Sequence, residues 1–168
     1  MTGVRRDRDA AGRPRNARPR DALGRPVAYG SAGAPRVPDD LQATPIEALE
    51  EAQRLLDEGY PFHAHEVLEA VWKSAPEPER DLWQGLAQLA VGLTHVLRGN
   101  RLGGARLLRR GAARIRPYAP TPPYGIDVAN LVTWAERLAD QLDAAAPVDT
   151  APPRLTTRGT DTLGPLPP

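Results

Sequence analysis

The sequence predicts an all-α protein, a compact bundle of four to five antiparallel helices assembled from helix-hairpin pairs. Three observations carry this expectation. Apolar residues recur at helical spacing along successive segments, and no segment alternates with period two. Prolines and glycines fall between those segments, where they stop one helix and start the next. The scarce aromatic residues concentrate centrally: all three tryptophans, the single phenylalanine and all three histidines lie between residues 41 and 146.

The first helix begins at Thr44, a good N-cap, with Pro45 at the first helical position and Glu47 completing a capping box. Ile46, Leu49, Ala52, Leu55 and Leu56 carry its apolar spacing, and Gly59 ends it. A second helix runs from near Pro61 to about Ser74, broken by Ala75-Pro76-Glu77-Pro78. The third, from near Pro78 to Arg98, has the longest apolar periodicity and stops at Gly99-Asn100, both tolerant of left-handed backbone. The fourth spans about Leu102 to Arg116, before a cluster of prolines from Pro117 to Pro123. The fifth occupies roughly Asp127 to Ala144. Helix, glycine turn, helix recurs with an offset of forty residues at Gly59 and Gly99. Helix-hairpin repeats of the tetratricopeptide type share such spacing, but two units fall short of the usual three, so a closed bundle is expected.

Outside this region the composition changes. Residues 1–40 hold nine arginines and five prolines, and residues 147–168 hold six prolines and no aromatic. Neither tail carries the apolar surface needed to offset the entropy of ordering it. The expected organisation is a disordered Arg/Pro-rich arm over 1–40, a helical domain over 41–146 and a disordered Pro-rich tail over 147–168. The arm reads as a solvated tail or an over-extended start, or else as a transient contact for nucleic acid or an acidic partner.

Net charge is +1, which gives no bulk electrostatic pull toward nucleic acid, so nucleic acid is not the expected partner. Lys73 is the only lysine against 21 arginines, a bias of coding composition. The absence of cysteine excludes disulfides, thiolate metal sites and a thiol nucleophile. No apolar run approaches the ~20 residues that span a bilayer, so no membrane partner is expected. The basic N-terminus precedes no apolar run, so no signal peptide is expected, and the expected location is cytoplasmic.

The informative segment is residues 62–72, FHAHEVLEAVW. At about 100° per residue, His65, Glu69 and Trp72 share one side of the second helix, flanked by Phe62 and Glu66. The apolar arc of Ala64, Val67, Leu68 and Val71 adjoins them, so the polar cluster sits beside the core and is expected to be half buried. His63 lies well round the helix and is expected in solvent or at a cap. On the third helix Asp81, Gln84, Gln88 and His95 form a polar stripe with Gly85 and Gly92 inside it. Each such glycine costs about 1 kcal/mol against alanine, so a close backbone neighbour is expected, with the second helix as the candidate. An antiparallel turn near Pro76 then sets Glu69 level with Gln84 and His65 level with Gln88, so that the two amides could bond the imidazole and carboxylates.

Three readings of this seam compete: a buried hydrogen-bond network fixing helix register, a pocket for a small ligand or peptide lined by Trp72, and a metal site. For the last, His65 and Glu69 at i, i+4 would ligate a divalent ion and Glu66 would act as base beside a bound water. His65-Glu66 followed by Glu69 resembles the HExxH pattern of zinc hydrolases without its second histidine. Ser74 is the only serine nearby and lacks a triad, so nucleophilic catalysis has no support. On the fourth helix Arg106, Arg109, Arg110 and Arg114, with Arg101 and Arg116 at the ends, form a basic stripe that reads as a solvated face or, alternatively, an anion or nucleic-acid contact.

Phe62-His63-Ala64-His65-Glu66-Val67-Leu68-Glu69 and Trp72, continued by Glu79-Arg80, Gln88, His95, Gly99-Asn100 and Gly104-Ala105, resemble the signature of the domain of unknown function family 309 over about Ala48 to Ile115. The resemblance implies a small all-helical protein with His65, Glu66, Glu69, Trp72 and Gln88 as family-defining positions. It implies no activity, substrate or cofactor. The expected function is a helical module binding a partner protein or small ligand at a polar groove between the second and third helices, through His65, Glu66, Glu69, Trp72, Gln84 and Gln88. The alternative is a metal-dependent hydrolase using His65, Glu66 and Glu69.

Overall fold

The computed structural model describes residues 20–26, 33 and 42–157. Five α-helices follow in order: α1 (Pro45–Asp57), α2 (Pro61–Ser74), α3 (Glu77–Leu97), α4 (Arg101–Ile115) and α5 (Val128–Asp143). Short 3-10 turns at Arg116–Tyr118 and Pro123–Gly125 join α4 to α5. No strand occurs among the described residues, and no helix there is long and apolar enough to cross a membrane. The all-α class expected from the periodicity is the observed one.

Local signals fix the helix ends. The Thr44 hydroxyl accepts from Glu47 N at 3.2 Å while Thr44 N donates to Glu47 Oε2 at 3.0 Å, which closes the capping box. Gly59 (φ 87°) and Gly99 (φ 83°) build matching left-handed stops. In the first, Tyr60 N donates to Leu55 O and Gly59 N to Leu56 O; in the second, Asn100 N donates to His95 O and Gly99 N to Val96 O. The forty-residue echo in the sequence is thus a repeated turn geometry joining α1 to α2 and α3 to α4. Asn100 also caps α4 by accepting from Gly103 N at 3.0 Å.

Helix α3 is the central element, with α2 on one side and α4 on the other. The seven-residue-spaced glycines of α3 face α4. A Cβ on Gly85 would lie 2.5 Å from Ile115 Cγ2 and 3.1 Å from Gly111 O, and one on Gly92 would lie 3.0 Å from Leu108 Cγ. The fit is reciprocal: a Cβ on Gly104 would meet Val96 Cγ2 at 2.8 Å, and one on Gly111 would meet Gly85 O at 2.9 Å. The close approach inferred from Gly85 and Gly92 is real, but the partner is α4 and not α2. The core beneath is aliphatic, with Trp83 fully buried as its largest member.

The loop before α5 is anchored on the start of α3. Trp83 Nε1 donates to Glu79 Oε2 at 3.2 Å, and Tyr124 Oη donates to Glu79 Oε1 at 2.8 Å. Tyr118 Oη donates to Pro78 O at 2.6 Å. Tyr124 takes a left-handed φ of 56°, a conformation that a bulky residue adopts only under outside constraint.

Both expected tails contain packed residues. Within 1–40, residues 20–26 form a tight turn in which Asp21 Oδ1 accepts from Leu23 N and Arg25 N. That turn lies on α2, where a Cβ on Gly24 would fall 2.2 Å from Phe62 Cγ, and Arg98 Nη2 donates to Leu23 O. Within 147–168, Leu155 is only 3% exposed and joins the core. One aliphatic anchor with paired backbone suffices to order such a segment, although its bulk composition lacks apolar surface. The rest of the arm, and residues 158–168 of the tail, lie outside the described residues.

Candidate functional site

The site is one flank of α2. Pro61 starts the helix, and Ala64, Val67, Leu68 and Val71 bury its core face. That orientation leaves His65, Glu69 and Trp72 at the rim, half buried, with side-chain exposures of 20% for His65 and 32% for Glu69. Trp72 packs partly against the core, and the Phe62 ring lies 5.3 Å from the His65 ring. Glu66 is half-buried one turn from Phe62 and makes polar contacts of its own.

The protonation geometry of His65 follows from its neighbours. Nδ1 lies 3.2 Å from Phe62 O. Phe62 O and Glu69 Oε2 can only accept, so a neutral ring with its single N–H serves one of them and turns a lone pair to the other. Nε2 sits 3.2 Å from Glu69 Oε2, while Glu69 Oε1 is 3.3 Å from Lys73 Nζ. Burial lowers the His65 pKa most strongly; the Glu69 charge and the Phe62 carbonyl oppose that shift, and Lys73 adds to it. The net direction favours the neutral ring. With Nδ1–H on Phe62 O, Nε2 and Oε2 are two acceptor atoms at one half-buried point; with Nε2–H, the ring donates to Glu69 instead.

The α3 side of the expected seam is engaged elsewhere. Arg114 on α4 reaches across, donating from Nη1 to Gln84 Oε1 at 2.9 Å and Asp81 Oδ1 at 2.8 Å, and from Nε to Gln88 Oε1 at 3.3 Å. Neither glutamine bonds His65 or Glu69. The register estimate fails because the glycines seat α4, not α2, against that part of α3, and bring a five-donor guanidinium within reach of both amides. His95 turns to the helix end, where its Nδ1 lies 3.0 Å from Asn100 Nδ2. The structure thus groups His65, Glu69 and Trp72 on α2 and separates Gln84 and Gln88 into a second cluster around Arg114.

His63 also departs from expectation. It is 3% exposed, wedged edge-on between the rings of Tyr60 and Phe62, and its Nδ1 has no hydrogen-bond partner. Burial, with a smaller effect from Arg20, lowers its pKa, opposed by Asp21. The turn at 20–26 packs on Phe62 at the same helix start. The two aromatics just before His63 in the sequence, Tyr60 and Phe62, were the available signal.

The basic stripe of α4 is mostly consumed within the chain. Arg109 pairs with Asp140 at 2.9 Å and Asp143 at 2.6 Å, and Arg116 pairs with Glu136. Arg101 donates to Gln141 O and Leu142 O in the last turn of α5 and to Ala146 O just beyond it. These arginines hold α5 to α4. Arg114 and Glu79 are the two organising residues that sequence reasoning missed as such. For Arg114 the matching heptad of glycines at 104 and 111 was the signal, since it identifies α4 as the neighbour of Gly85 and Gly92.

Fold and site together define a helical bundle with a histidine–carboxylate pair on one half-buried helix flank. Residues 49–107 match the family described as a domain of unknown function (DUF309), which bears out the resemblance over that stretch. The chain is 30% identical over 87 residues to the uncharacterized protein YpuF of Bacillus subtilis (strain 168), covering 51% of this chain and 50% of that one. The chain therefore spans about half the length of the curated relative it matches. No solved structure matches it. The matched stretch holds all of α2 and α3 and stops before Arg114, Tyr124 and the α5 region.

Proposed function

We propose that this protein is a non-catalytic binding module whose α2 flank captures a hydrogen-bond donor, an amine, guanidinium or amide N–H, presented by a small ligand or partner protein. The supporting observation is the convergence of His65 Nε2 and Glu69 Oε2 at 3.2 Å. In the tautomer that keeps Nδ1–H on Phe62 O, Nε2 and Oε2 offer two lone pairs that one external donor or cation can meet. Trp72 and Phe62 supply apolar walls on either side, as pockets that orient a ligand by a few polar groups require.

A second reading, the metal-dependent hydrolase, draws on the same distance. Metal bonds of about 2.1 Å at tetrahedral angles hold neighbouring ligand atoms about 3.4 Å apart, close to the observed spacing. A neutral histidine whose other nitrogen donates to a carbonyl is also oriented as metal ligands are. The donor count weighs against it: among the described residues no group of three or more His, Asp or Glu is placed to hold an ion. A catalytic zinc needs three protein ligands, and Glu66 would be needed as base as well.

The test uses untagged protein and the near-isosteric Glu69→Gln variant. The introduced amide would offer its own N–H to His65 Nε2, so the fold should hold while the donor site is filled from within. The wild type should show ligand-induced thermal stabilisation by one or more members of a panel of alkylamines, guanidines and primary amides, and the variant none. A panel that shifts neither protein sinks the binding reading. Stoichiometric divalent metal in the wild type, lost in the variant, would replace it with the hydrolase reading.

A further inference from the structure

The C-terminal segment Pro153–Thr157 sits on the bundle in the manner of a bound peptide. It is extended, and its contacts alternate. The Gln53 side chain brackets it, Nε2 donating to Pro153 O at 3.1 Å while Oε1 accepts from Leu155 N at 2.8 Å. Asp57 Oδ1 accepts from the same Nε2 at 2.9 Å, which fixes which way the amide points. On the other side the segment adds to the loop before α5: Asp127 N donates to Leu155 O and Thr157 N to Gly125 O, each at 2.9 Å, with an antiparallel bridge between Ile126 and Thr156.

These are main-chain contacts, and they read backbone without regard to side-chain identity, as in strand addition to an exposed edge. Side-chain selectivity comes from two places. Leu155 enters an apolar crevice with Leu56 of α1, Leu86 and Leu93 of α3, and Leu131 and Trp134 of α5, beside a small residual gap of about 10 Å³. Arg154 points outward to Asp57 at 3.4 Å. Between α5 and this segment, Ala146 O accepts from Arg101 at 3.1 Å and Val148 packs against the core, while Ala151 N to Asp149 Oδ1 at 3.0 Å is a local contact.

We infer that this crevice is a peptide-binding groove, held shut by the chain's own residues 153–157, that accepts in trans an extended segment of another protein bearing proline, a basic residue and a leucine anchor in that order. The chemistry of the occupant is set by the groove: proline at the position whose N–H has no acceptor, a cation opposite Asp57, an aliphatic side chain over the crevice. The tethered copy competes because a short linker holds it at an effective concentration in the millimolar range. The inference does not rest on the α2 site, which lies on another helix flank.

The experiment uses the full chain and a fluorescein-labelled peptide of sequence APPRLTT. Leu155→Asp should eject the tethered segment, so the variant should bind the peptide at least tenfold more tightly than the wild type. Adding Gln53→Ala should reverse that gain, and an APPRDTT peptide should not bind. A Leu155→Asp chain with unchanged helical circular dichroism that binds the peptide no better than wild type overturns the proposal. If Leu155→Asp does not fold, a protease site replacing residues 147–150 allows the full chain to be cut after folding. A hundredfold excess of labelled peptide should then displace the cut segment, and failure to displace it overturns the proposal equally. Light scattering that finds a wild-type dimer lost in Leu155→Asp would assign the groove to a second copy and overturn it as well.

Discussion

Gly111→Ala tests the packing of α3 against α4, and two opposing effects make its sign informative. Alanine in a helix interior is about 1 kcal/mol better than glycine, so a helix with open space there would gain stability. At Gly111 the added Cβ would lie 2.8 Å from Leu89 Cδ2, 3.1 Å from Leu89 Cγ and 2.9 Å from Gly85 O. Leu89 is a buried core residue, and even if its side chain yields toward the neighbouring apolar gap the Gly85 oxygen cannot. The oxygen of Gly85 belongs to helix backbone, so α4 must retreat by roughly half an ångström to restore ordinary contact. That retreat also loosens the Gly92–Leu108 and Gly104–Val96 contacts on the same seam. Overpacking of this kind costs typically 1–3 kcal/mol, and here it acts on several contacts at once, so it outweighs the propensity gain. The expected net loss is about 1–2 kcal/mol, a fall in Tm of roughly 5–15 °C for a domain of this size. Urea and thermal unfolding followed by circular dichroism measure it. Ala113→Gly, at an exposed position of the same helix, calibrates the propensity effect. If Gly111→Ala raises stability by as much as Ala113→Gly lowers it, the helices are not in backbone contact and the reasoning fails.

Two further outcomes follow from the polar residues. His63 and His65 both have pKa values lowered chiefly by burial. The unfolded chain therefore takes up protons first, so their stability contribution is complete above about pH 6.5 and is lost as pH falls below it, by at most about 1.4 kcal/mol per pH unit for each ring. Urea midpoints between pH 8 and 5 should fall on acidification, His63→Leu and His65→Gln should each flatten the slope, and a level wild-type profile would contradict the burial argument. Arg114→Leu removes the shared donor of Asp81, Gln84 and Gln88, with an expected cost of about 1–2 kcal/mol. Arg114→Lys should recover only part, because one ammonium cannot reproduce the planar fork, and full recovery in unfolding experiments would count against the observed geometry.

What could be read from the sequence was local. The Thr44 capping box, the glycine stops at 59 and 99 and the apolar arcs each depend on residues within a turn or two of one another, and each stands where the sequence puts it. What could not be read was the choice of neighbour. Helix α3 is buried on several sides, so its periodicity marks a broad apolar surface without saying which helix covers which part. Gly85 and Gly92 announced a close approach, and only the matching Gly104 and Gly111 on α4 say from whom. Leu155 was missed for a related reason. A lone anchor in a proline-rich stretch has no period, and its order comes from Gln53 about a hundred residues away in sequence.

The separation of the two polar clusters bears on what the α2 residues are for. A buried network that fixes helix register must cross between helices. The Arg114 cluster does so, tying α4 to three residues of α3. His65 and Glu69 do not: their polar partners among the described residues, Phe62 O, Lys73 Nζ and each other, all belong to α2. Bonds at i, i+3 and i, i+4 are the same whichever way α2 is rotated or slid against its neighbours, so they cannot select a register. Burial disfavours the charged form of His65, so its pairing with Glu69 at 3.2 Å on a half-buried helix flank adds little to stability. A structural account of the pair would predict that His65→Leu with Glu69→Leu is neutral or stabilising and has no other effect. A binding account predicts the same gain in stability together with loss of the ligand response, which places the decision on the second measurement and not the first.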